Sequence, residues 1–80
     1  MKCTVYHEEP EVYEGRATFE GKLSESAETL TSRVNDLLDL HLILPDEKLV
    51  SDETTGNVRT LVWHWSRHDC PMPIKFVFEE

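Results

Sequence analysis

The chain has 80 residues, enough for one domain and too few for two. Sixteen acidic residues face eight basic ones, a formal charge of −8, which disfavours direct contact with a nucleic-acid backbone or an anionic membrane surface. A composition of 39% hydrophobic and 30% charged residues is that of a folded chain. A thin core follows from the size, so each large apolar residue is first a structural residue.

Met1 to Glu9 lacks the apolar stretch of a signal peptide, and no window approaches the roughly 18 apolar residues of a membrane span. A cytoplasmic setting is therefore the expectation. In that setting Cys3 and Cys70 are expected as free thiols.

Lys2 to His7 alternates as a strand, with Cys3, Val5 and His7 on one side and Thr4 and Tyr6 on the other. Glu8-Glu9-Pro10-Glu11 is a polar break. Alternation resumes from Arg16 to Leu23, with Ala17 and Phe19 facing one way, and Gly15 and Gly21 marking a turn or bulge.

A helix is predicted over residues 25–42, with Ser24 or Ser26 as N-cap and Glu25 and Glu28 in the first turn. Ala27, Leu30, Val34, Leu37, Leu38 and His41 share one arc of about 100°. Pro45 lies beyond it as a stop.

Lys48 to Glu53 reads as a weak edge strand, and Thr54-Thr55-Gly56-Asn57 as a hairpin turn. Val58 to Trp65 is the strongest strand, placing Leu61, Trp63 and Trp65 on one face. Asp69 to Pro73 reads as a rigid loop, and Ile74, Phe76 and Phe78 alternate with Lys75, Val77 and Glu79 in a last strand. The order β-β-α-β-β-β predicts an α+β fold, a two-layer domain over residues 1–80. Its single helix would pack on an antiparallel sheet of four to five strands.

Three constellations bear on chemistry. His64, His68 and Cys70 supply soft and borderline ligands that suit zinc if Cys3 or His7 adds a fourth, a low-ranking metal candidate. Ser66, His68 and Asp69 are too close in sequence for the chained hydrogen bonds of a hydrolase triad. The glycines match no nucleotide fingerprint, and the paired carboxylates sit in polar turns without the apolar pocket a catalytic acid needs. No enzyme activity and no cofactor are expected.

The negative charge concentrates in the first two-thirds of the chain. Glu25, Glu28, Asp36 and Asp39 fall within an arc of about 80° opposite the apolar one. This stripe, with Trp65 as an aromatic anchor, is the candidate partner-binding surface. The expected partner is a basic surface of another protein, such as one built to hold nucleic acid. Small acidic domains of this kind occur among phage anti-CRISPR and anti-restriction proteins, antitoxins and immunity proteins, so an inhibitor is the functional expectation. Alternatives are a metal-binding domain, or a subunit whose edge strand 48–53 extends a partner's sheet.

Overall fold

A computed structural model describes residues 1–7, 12–40, 47–67 and 70–80, and for 65–67 and 70–72 it describes the backbone. Five strands and one helix follow one another as β1 (Lys2–His7), β2 (Val12–Thr18), α1 (Ala27–Leu38), β3 (Lys48–Thr55), β4 (Val58–Arg67) and β5 (Cys70–Glu79). All described strand pairs are antiparallel, in the order β2-β1-β5-β4-β3. The helix covers one face of this sheet, as the two-layer reading expected.

The alternation seen in the sequence becomes the core. Cys3 and Val5 of β1, Ile74, Phe76 and Phe78 of β5, and Leu61 and Trp63 of β4 are buried beneath Ala27, Leu30 and Val34 of the helix. Phe19 meets Phe78 edge-on, with ring centroids 6.3 Å apart.

Several boundaries differ from the sequence expectation, each for an identifiable reason. β2 spans Val12–Thr18 rather than Arg16 to Leu23, because its partner β1 starts at Lys2 opposite Thr18 and ends at His7 opposite Val12. Beyond Thr18, Phe19 exchanges backbone bonds of 2.8 and 3.0 Å with Met1, and the chain turns toward the helix. The register slips between Val5 and Tyr6, which leaves Glu14 as the extra residue beside Gly15. Gly15 also lies under the helix: a Cβ there would sit 3.2 Å from Leu38 Cδ1.

The helix is shorter than 25–42 at both ends. Ser26 is the N-cap, its hydroxyl accepting from the Thr29 N–H at 3.1 Å, so Glu25 precedes the helix. At the other end Asp39 takes the left-handed conformation, φ 54, and both its N–H and that of Leu40 donate to Asn35 O. Asp is among the few L-residues that tolerate this conformation, so the helix ends well before Pro45. His41 lies outside the described residues.

The buried stripe also shifts. Leu37 is 57% exposed, while Thr31 is fully buried. Relative to Ala27, Thr31 sits at about +40° and Leu37 at about −80°, so the occupied arc runs from Leu30 to Thr31 and stops short of Leu37.

The Asp69 to Pro73 segment was expected as a loop, yet β5 begins at Cys70 and pairs with β4 from there. Among the described residues, pairing with β1 ends at Ile74 opposite His7. Pro71 and Pro73 pair on the other side with Ser66 and His64 of β4. Gly56, φ 59, and Asn57 form the two-residue β3–β4 turn.

Candidate functional site

The entry to the helix is fixed by two arginines. Arg59 of β4 holds the Asp52 carboxylate of edge strand β3 through Nε and Nη2, at 2.8 and 2.7 Å. Its Nη1 donates to the carbonyls of Leu23 and Glu25, just before the helix. One guanidinium thus ties β3, β4 and the helix entry together. Asp52 is held below the usual carboxylate range by this hydrogen bonding.

Arg33, two turns into the helix, folds back onto Glu25. Its Nη1 and Nη2 lie 2.9 and 2.8 Å from the two carboxylate oxygens, and Glu25 also accepts the Lys22 N–H at 2.8 Å. The hydrogen bond from Arg33 is the largest cause holding the Glu25 carboxyl below its ordinary value.

This geometry divides the acidic stripe that the sequence suggested. Glu25 is a structural ion-pair partner and not part of an open helical face. Glu28 and Asp36 are exposed on the helix, separated along the axis by about 12 Å for eight residues. Asp39 is exposed as well, at the left-handed cap, whereas the exposed Leu37 lies half a turn around the helix from Glu28 and does not share that side. The surface is therefore Glu28, Asp36 and Asp39. Trp65 is placed by its backbone on β4 opposite Met72, and its side chain is not among those described.

The candidate metal ligands are spread along the sheet. His64 is exposed, opposite Lys48 on one side and Pro73 on the other. Cys70 is opposite Arg67 in the backbone register, and His68 lies outside the described residues. Cys3 is fully buried opposite Phe78, eight residues along β5 from Cys70, or roughly 26 Å of strand. That distance separates the two thiols beyond the reach of a bridge or a shared ion. Burial pushes the Cys3 thiol up to about 12, the opposite of what a thiolate ligand requires. His7 Nδ1 is 3.0 Å from Glu14 Oε1. Among the described residues no three His, Cys, Asp or Glu side chains are gathered around one point.

The sheet face away from the helix is legible in the alternation. It carries the buried Thr4 and the half-buried Tyr6 of β1, Lys75, Val77 and Glu79 of β5, and Val58, Thr60 and Val62 of β4. Tyr13, 60% exposed, meets Tyr6 edge-on at 6.3 Å, and Lys75 Nζ stands 5.2 Å from the Tyr6 ring centre. Edge strand β3 carries an extra residue, the exposed Val50, and the charged Lys48, Asp52 and Glu53. Bulges and charges of this kind discourage a further strand from pairing there.

None of the described helices is long and apolar enough to cross a membrane. The fold and its surfaces define a two-layer α+β domain with an acidic helix side and an open sheet side. Compared with family models, curated proteins and solved structures, the chain gives no match.

Proposed function

We propose that this chain is a non-enzymatic protein-binding module of the cytoplasm. Its acidic helix side docks on a basic, nucleic-acid-binding surface of a partner protein and so inhibits it, in the manner of phage anti-CRISPR or anti-restriction proteins. The observation that carries the reading is the outward helix surface. Glu28 and Asp36 are exposed along one side of an element whose entry is pinned by Arg59 and by the Glu25–Arg33 pair.

Pinning matters because a rigid surface loses less conformational entropy on binding. Carboxylates spaced along such a surface steer encounter with a cationic patch. Salt screens this steering, with a reach of about 8 Å at physiological ionic strength.

The test is capture of partners from lysate of the source cell at two salt concentrations, with wild type and with Glu28→Lys/Asp36→Lys. A basic partner retained at low salt, weakened at high salt and lost by the charge-reversed chain supports the reading. Equal capture by both chains, with the same circular dichroism, overturns it.

A further inference from the structure

The open sheet face has a charge and shape pattern distinct from the rest of the chain. Register places Lys2, Arg16, Lys48 and Lys75 on it, against Glu53 and Glu79. Among the described side chains that leaves nine carboxylates, with three cations, off this face. A second acidic copy approaching the face away from the helix therefore meets few of the described carboxylates.

The three middle rows of the face are self-complementary about their centre. Along β5 the half-buried residues of this face read Lys75, Val77, Glu79, with Glu79 3.9 Å from Lys2 of its own chain, and along neighbouring β4 they read Val62, Thr60, Val58. Thr4 of β1 completes the central row beside Val77. A two-fold axis lying along that row turns β5 antiparallel over its own copy. Lys75 then meets Glu79 of the second copy twice, Val77 meets Val77, and Val58 meets Val62 twice. A cation, an aliphatic group and an anion in this order form an isologous contact, in which one patch serves both partners.

We propose that this chain forms a two-fold symmetric dimer through the open face of its sheet, with Val77 at the axis and reciprocal Lys75–Glu79 pairs on either side. The same axis sets Arg16 of β2 near Arg16 and Glu53 of β3 near Glu53 of the second copy. A turn of about 30° between packed sheets parts each pair by about 5 Å, and both residues are exposed at the rim, where solvent and salt screen them. Five strands at about 4.8 Å and seven residues at about 3.3 Å cover roughly 550 Å² per copy, or about 1,100 Å² in all. This is the lower end of specific interfaces, so the dimer is weak and forms at micromolar concentration or above. Both acidic helix sides point outward and remain open, so the dimer presents its binding surface twice.

The test is sedimentation velocity on the untagged full chain from about 1 μM to about 1 mM. Wild type should shift from monomer to dimer across that range. Lys75→Glu and Glu79→Lys, each alone, place like charges against one another twice and should weaken association at least about tenfold. An equimolar mixture of the two variants restores both opposite-charge pairs and should recover a heterodimer. Glu28→Lys/Asp36→Lys should leave dimerisation unchanged, which separates this contact from the partner-binding surface. A wild type that stays monomeric throughout overturns the proposal. So does a dimer indifferent to Lys75→Glu, or a mixture that fails to associate while both variants keep the wild-type circular dichroism and melting temperature.

Discussion

Arg59 grips Asp52 with two parallel bonds of 2.8 and 2.7 Å while the same guanidinium caps the carbonyls of Leu23 and Glu25. The Arg59 side chain is 11% exposed and that of Asp52 34%, so water reaches the carboxylate while the bonds to the two carbonyls are partly covered. The planar fork matches a carboxylate edge and still leaves a nitrogen for the backbone, a geometry that lysine cannot copy.

Arg59→Ala is therefore expected to destabilise the chain by about 1–3 kcal/mol, since it removes the donor of two partly buried carbonyls along with a solvent-facing ion pair. Arg59→Lys should recover less than half of this. For a chain of this size a loss of 1 kcal/mol lowers the melting temperature by roughly 4–8 °C, well within calorimetric resolution.

The acid limb of stability should show the same clamp. Asp52 and Glu25 both have folded-state values below their unfolded ones, near 3.9 and 4.3. A depressed carboxyl binds its proton less readily when folded, so its contribution is present above the unfolded value and is lost as pH falls through the folded one. The urea midpoint of wild type should fall steeply below about pH 4. Asp52→Asn and Glu25→Gln should start lower at pH 7 and show shallower acid limbs.

Inside the core, the Trp63 indole N–H donates to Thr31 Oγ1 at 3.0 Å, with both residues buried. Thr31→Val keeps the shape and removes the acceptor. It should cost about 1–3 kcal/mol in urea unfolding, the penalty for an unsatisfied buried donor. A valine variant as stable as wild type would show that Trp63 finds another partner.

Cys3 should behave as an inert core residue. In a Cys70→Ser background, where it is the one thiol, burial and a value near 12 predict negligible reaction with a thiol reagent near neutral pH until the chain opens. The labelling rate should then rise with denaturant in step with unfolding. Rapid labelling in native buffer would contradict the burial.

The legible part of this protein was whatever depends on neighbours in sequence. Alternation in Lys2–His7 and Ile74–Phe78, the three- and four-residue spacing of Ala27, Leu30 and Val34, and the Gly56 turn are local rules, and the sheet and helix followed them. The glycine beside the β2 bulge was visible too, although the extent of β2 was not, because it is set by where β1 begins and ends.

Only the tertiary structure decided how the charges are used. Glu25 and Asp52 look like members of acidic clusters in sequence, yet Arg33 and Arg59 reach them from eight and seven residues away and turn them into braces. Thr31 enters the core because Trp63, 32 residues later, supplies a donor. The self-complementary row of Lys75, Val77 and Glu79 gains its meaning from the strand order, which sets it in the middle of an uncovered face. Sequence alone determined which residues are apolar, charged and periodic, and therefore the layers. Long-range pairing determined which carboxylates stay open to a partner, because a charge at the surface belongs to whichever cation the fold brings within reach.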